Sequence, residues 1–469
     1  MNNNIIANSR FILFIALIVG APLSKYPSFA LPIANFPSFR IGLYQILVLL
    51  FVLLCLPALI KQKSLLFNNK NKWVTTLLLL FAILVGASIA WSNYPARSAL
   101  LAFSVWLLIV LVFCAWWYVA QNITKNNIKT IVKAVLFFGI LYAIIGIAQF
   151  IIGTFFNTNL ALLCTGCNAN VFGFARISGL AAEPQFFANS LIPFIFIAIY
   201  SLVKKTSNLA WISLTSVSLT LGLTFSRGAY FAIAISLIIT FILLIKNKLA
   251  KTSLITKIIL AIVGGFAVAF FILIAGASIK NSSTPDITYK TIDSIAEHVS
   301  LGIIDLPNKL TPVQPITQNQ ETIFVSPGLI EASNTERTSA ASLAIKAWRY
   351  SPLTTIFGVG VGNLGPFVVK NIDASAPSTL TVYIYYILLL SELGIIGLLL
   401  FVTLFIICFK KLLNDKKALS ISLFGILLAF FIQYIFFGSY INVMYIWLWL
   451  GISLGITPLV SKIELKHTV

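Results

Sequence analysis

Twelve apolar runs, each near the length a helix needs to cross a bilayer, follow one another along the chain. They lie roughly at residues 10–24, 41–60, 74–92, 99–119, 129–152, 185–203, 208–225, 228–246, 255–278, 380–409, 417–436 and 440–460. No water-soluble core absorbs that much apolar surface. Of 469 residues, 59% are hydrophobic and only 9% are charged, and mean hydropathy is +1.00; a soluble domain carries about 25% charged residues. The pattern predicts an all-α polytopic membrane protein with about twelve transmembrane helices. Its parts are spans one to nine in residues 1–276, a long polar loop in 277–379, and spans ten to twelve in 380–469. One arginine ahead of a short apolar run also fits a cleaved signal peptide. A retained first helix is favoured, because the charge count then closes.

A net charge of +20 would suit nucleic acid, but its placement argues for topology instead. With an even number of spans both termini share one side. That side holds twenty basic residues, nineteen of them Lys, mostly in short loops. The positive-inside rule makes that side cytoplasmic and the long loop extracytoplasmic. Arginine runs the other way. Of seven, only Arg10 is inside; Arg40, Arg97, Arg176, Arg227, Arg337 and Arg349 fall outside. A guanidinium is a planar fork suited to phosphate or carboxylate, whereas Lys is a point charge. Six arginines against the topological preference point to an anionic ligand. Pairing with the outer acids, ten of the chain's twelve, is the plainer alternative.

Single sites sharpen this. In "ARISGLAAEPQFF", Arg176 and Glu183 stand at the mouth of a span, with Pro184 suited to a first helical turn. Glu183 there is either a stabiliser of the helix N-terminus or a carboxylate facing a polar cavity. Arg227, in "TFSRGAY", sits where two spans meet with almost no loop, so it either snorkels or serves a site. In "NTERTSAASLAIKAWRYSP", Asn334 or Thr335 is a candidate cap, which puts Arg337 in a first turn against the helix dipole and Arg349 at the favourable end. Leu343, Ala344, Ala347 and Trp348 share a face there, and Pro352 ends the helix. "GVGVGNLGPF" contains G-x-G-x-x-G but lacks the βαβ setting of a dinucleotide site, so it reads as a flexible, tight return to the membrane. Glu392 lies inside span ten, expected to face the interior or a polar cavity, and Tyr383, Tyr385 and Tyr386 read as an interfacial aromatic cluster. Cys55, Cys114 and Cys408 lie in apolar runs. Cys164 and Cys167 form "CTGC"; with His298 and His467 as the only histidines, a local disulfide is favoured over zinc. No metal or cofactor site is expected.

The order of these segments, with "SRGAY", "ERTSAASLAIKAW", "SPLTTIFGVGVGNLGPF" and "SELGIIGLLLF", resembles the O-antigen ligase and Wzy-type polysaccharide polymerase superfamily over roughly Phe174 to Phe401. The resemblance implies a GT-C-like fold in a bacterial inner membrane, with both termini cytoplasmic and the large loop periplasmic. It implies a metal-independent glycosyltransferase that uses a polyprenyl-pyrophosphate-linked glycan, the undecaprenyl type, in lipopolysaccharide or other polysaccharide biosynthesis. Membrane lipids and other polysaccharide-assembly proteins would be its partners. By motif, Arg176, Arg227 and Arg337 match family arginines that bind pyrophosphate, with Arg349 and Tyr383 added on the substrate side and Glu183 as candidate base beside Arg227 and Arg337. The ligase branch carries a His-Asn-type pair about ten residues before a Gly in the span after the loop. Here Tyr383 and Ile384 occupy that pair of positions, which favours the polymerase branch and leaves a divergent ligase open. A glycan or lipid transporter is the alternative of another class, though no inverted repeat supports it.

Overall fold

The structure, a computed structural model, describes residues 3–23, 28–30, 40–68, 71–156, 170–171, 174–181, 183–280, 327–380, 382–438 and 443–465. Cys164 and Cys167 lie outside them, as does the side chain of Arg40. Backbone groups in hydrocarbon must be satisfied within the segment, so the apolar runs fold as helices. In chain order these are α1 (Asn3–Val19), α2 (Leu43–Lys61), the short α3 (Ser64–Phe67), α4 (Lys72–Ala87), α5 (Pro95–Asn122), α6 (Lys125–Phe155), α7 (Pro184–Lys204), α8 (Asn208–Leu223), α9 (Arg227–Lys246) and α10 (Thr252–Lys280). After the polar interval come α11 (Pro327–Trp348), α12 (Pro352–Phe357), α13 (Leu364–Asn371), α14 (Tyr385–Asp415), α15 (Ala418–Gln433) and α16 (Met444–Leu465). Among the described residues, eight helices are long and apolar enough to span a membrane, and four shorter apolar ones accompany them. Each of the twelve runs coincides with one of these. Among the described residues, strands form two small antiparallel ribbons, Ser28–Ala30 with Arg40–Gly42 and Asn170–Val171 with Phe174–Ala175.

Burial orders the bundle. In α7, 83% of the spanning window is buried, against 28% in α10, so α7 is central and α10 peripheral. Helix α8 packs on α6, α7 and α10; α15 packs on α7 and α9; α16 lies along α5. Cys55, Cys114 and Cys408 are buried thiols.

Three local expectations change. Helix α11 begins at Pro327, a good first-turn residue, so Arg337 is mid-helix and does not oppose a helix N-terminus. Tyr385 is fully buried and stacks on Tyr434 at 4.3 Å, while Tyr386 donates to Phe431 O at 2.5 Å. These rings therefore make a core cluster rather than an interfacial belt. The glycine segment is tight but pinned. Val359 and Gly360 donate their N–H groups to Ser391 O and Glu392 O at 2.9 Å each, and Ser98 Oγ donates to Val361 O at 2.6 Å. Those acceptors sit at a break in α14, where Gly394 adopts φ 67°, ψ −171°. Glu392 is buried at that break, 4% exposed.

Gly358 (φ 76°, ψ −177°) faces Gly394 across this joint. That backbone region is essentially restricted to glycine, and a Cβ on Gly358 would lie 2.2 Å from the carbonyl carbon of Glu392. Gly358→Ala is expected to destabilise the protein by at least about 1–3 kcal/mol. Gly264→Ala, in α10 with nothing within 4 Å of the new Cβ, should be neutral or stabilise by up to about 1 kcal/mol. Thermal melts of the two purified variants in detergent check both signs.

Candidate functional site

The end of the bundle opposite the lysine-rich loops gathers residues from five separate segments. The first is the connector from α6 to α7. Gln149, buried in α6, accepts with Oε1 from the N–H groups of Ser178 (2.9 Å) and Gly179 (2.8 Å). An amide inside an apolar helix is costly unless paired, and here it binds the connector just beyond Arg176. Arg176 then reaches the turn between α8 and α9. Its Nε donates to Thr224 O at 3.2 Å and its Nη2 to Phe225 O at 3.3 Å.

That turn is the second segment. Phe225 holds φ 51°, uncommon for a bulky residue. Tyr230 Oη donates to Gly222 O at 2.7 Å and closes the turn from the α9 side. Ser226 is the N-cap of α9, and Arg227 is its first residue.

The end of α15 joins the remaining parts. Gln185 Nε2 donates to Phe436 O at 2.8 Å, and Gly228, beside Arg227, packs against the Phe436 side chain, where an added Cβ would meet it at 2.8 Å. Tyr385 N–H donates to Tyr434 O at 2.9 Å, and Gly438 approaches the carbonyl of Val382. The short stretch 434–438 thus touches the neighbours of Glu183, Arg227 and Tyr383. Arg337 from α11 completes the arrangement, its guanidinium carbon 5.1 Å from the centre of the Tyr383 ring, a cation–π distance.

Glu183 is the N-cap of α7 by backbone geometry, but its carboxylate makes no capping bond and is exposed. It does not stabilise the helix as a cap. Electrostatics ties the group together. Burial holds the Arg176 guanidinium down at about 10; Tyr230 and Glu183 oppose that shift, and Arg227 and Arg337 add to it. Arg227 and Arg337 also repel each other. Three cations from distant parts of the sequence therefore share one partly dry region, an arrangement suited to a multiply charged anion.

Other expected residues fall elsewhere. Arg349 is exposed at the end of α11, over its neighbour Trp348 at 5.5 Å. Arg97 donates to Ser378 O at 3.3 Å. Sequence reasoning missed Gln149, Gln185 and Tyr230. The first two carried a usable signal, a polar amide in or at the start of an apolar run.

Two outcomes follow. Gln149→Leu leaves two N–H groups unpaired, at about 1–3 kcal/mol each, and should lower the melting temperature. Arg176→Ala removes the donors to Thr224 O and Phe225 O and should lower the melting temperature, with Arg176→Lys restoring it only in part because the fork geometry is lost.

Residues 209–402, from the start of α8 to just past the break in α14, match the family model Wzy_C, described as O-antigen ligase. No curated protein matches the chain. The matched segment contains Arg227, Arg337, Tyr383 and Glu392, and lies C-terminal to Arg176 and Glu183.

Proposed function

We propose that this chain, whose residues 209–402 carry a domain of the O-antigen ligase and Wzy-type superfamily, polymerises lipid-linked oligosaccharide repeat units. The donor is a glycan on a polyprenyl pyrophosphate, and the arginine end faces the extracytoplasmic side of a bacterial plasma membrane. The observation that carries this reading is the convergence of Arg176, Arg227 and Arg337 on one electrostatic locale.

A hydroxyl of the acceptor sugar attacks the anomeric carbon of the donor. The new glycosidic C–O bond forms as the bond from that carbon to pyrophosphate breaks. Charge develops on the departing pyrophosphate, and guanidinium groups already in place stabilise it without reorganising. Glu183, exposed and close enough to Arg176 to act on its charge, accepts the hydroxyl proton. Tyr383 shapes the sugar side and holds Arg337 by its ring.

The family description favours a second reading, ligation of the glycan to a different acceptor such as lipid A-core. Tyr383 at the ligase histidine position supports polymerisation. The acceptor decides between them.

The test uses purified protein in nanodiscs, a lipid-pyrophosphate-linked repeat unit and no added nucleotide. A ladder of lengthening lipid-linked glycans on a gel is the expected product. Arg227→Ala should reduce its rate by about 10²–10³-fold, the usual effect of losing one charge-stabilising donor. Arg227→Lys should rescue poorly, since the fork geometry is lost. Transfer to lipid A-core without a ladder would instead establish the ligase. Neither product from a folded protein with its native donor would overturn both.

A further inference from the structure

A groove of about 740 Å³ runs along the outside of the bundle between α4, α12 and α14. No residue of the arginine site lines it. Its walls are apolar, with Leu80 and Ile83 from α4, Leu353 from α12 and Leu400 from α14, and it opens outward: Leu353 is 70% and Ile83 65% exposed. From Trp91 to Leu80 it descends roughly 16 Å at the helical rise, about half of a hydrocarbon core of roughly 30 Å. That is the depth of a single leaflet. Its polar lining residues, Tyr350, Ser351 and Thr354, come from one short stretch around the start of α12.

Charge adjoins that stretch. Arg349 is exposed and directly precedes Tyr350, a residue that lines the groove, with its guanidinium over the Trp348 ring. Lys346, one turn earlier on α11, is exposed as well. A cation beside a greasy channel of one-leaflet depth matches a molecule with an anionic head and a long chain. A flat patch in contact with bulk lipid would need neither the recess nor the cation.

We propose that this groove is a binding site for an anionic glycerophospholipid of the leaflet at the arginine end, with one acyl chain between α4 and α14 and the phosphate on Arg349. The site is separate from the pyrophosphate locale and stands whether or not the proposed polymerisation does. Such a lipid would brace α12, whose glycine-rich continuation pins the break in α14.

The test is native mass spectrometry of the full chain in mild detergent, titrated with phosphatidylglycerol or phosphatidylcholine. Phosphatidylglycerol is expected to bind one equivalent about fivefold more tightly, the effect of one arginine near an anionic headgroup. Ala87→Trp fills the groove from an exposed position that already lines it, and should abolish that equivalent while leaving pyrophosphate affinity unchanged. Arg349→Gln should erase the preference between the two lipids. Equal binding of both lipids by the unaltered protein, or adducts that survive Ala87→Trp, would overturn the proposal. So would a polyprenyl phosphate that displaces phosphatidylglycerol at equimolar amounts, because the groove would then serve the prenyl lipid.

Discussion

Arg176 bridging the carbonyls of Thr224 and Phe225 is the contact from which the arginine end is organised. A helix leaves its last carbonyls without intrahelical partners; the N–H of Thr224 reaches back only to Leu221 O, which leaves the carbonyls of Thr224 and Phe225. The connector before α7 provides the donors instead. Because Phe225 holds a left-handed conformation, the turn persists only where the surroundings over-determine it. Arg176, Tyr230 and the packing of Gly228 on Phe436 supply that constraint. Arg227 follows the turn directly, so its position depends on Arg176 even without contact between the two guanidinium groups.

The same logic applies at the other joint. The break in α14 at Gly394 frees carbonyls of the preceding turn, and the glycine-rich segment after α12 donates N–H groups to those of Ser391 and Glu392. Two chains approach there at backbone distance, which only glycine on both sides permits. The polar loop is thus fastened to the membrane bundle by main-chain pairing. Ala344 and Ala347 of α11 pack on the same segment, with Val359 and Leu364. Arg337 is therefore carried on an element seated against the bundle, with Tyr383 beneath it.

The spans were legible because hydropathy over about twenty residues is a one-dimensional signal, and all twelve runs emerged as helices. The arginines were legible because a cation near hydrocarbon on the wrong side for topology needs a reason. What joins them was not. Thr224 O, Phe225 O, Tyr434 O and Phe436 O are backbone acceptors, and every residue type has one. Gly394 lay inside a continuous apolar run and read as a straight span; its break depends on a partner segment more than thirty residues away. Tyr385 and Tyr386 read as an interfacial belt because tyrosine near a span end usually is one. Their partner Tyr434 lies on another helix and is invisible to local pattern.

The choice of arginine over lysine follows from the same geometry. A guanidinium carries five N–H groups in a fixed plane. Arg176 commits one from Nε and one from Nη2 to carbonyls, so its remaining donors keep a defined direction while the side chain is anchored. An ammonium has three donors on a single nitrogen; bridging two carbonyls would leave one, freely placed on a flexible stem. A lysine there could close the turn or offer a directed fork, but not both. The residue that anchors the turn and a residue that can grip an anion are then the same, which couples the local fold to the charge of the site. The dryness that makes its carbonyl bonds firm is the dryness that would make an anion bound beside it hold.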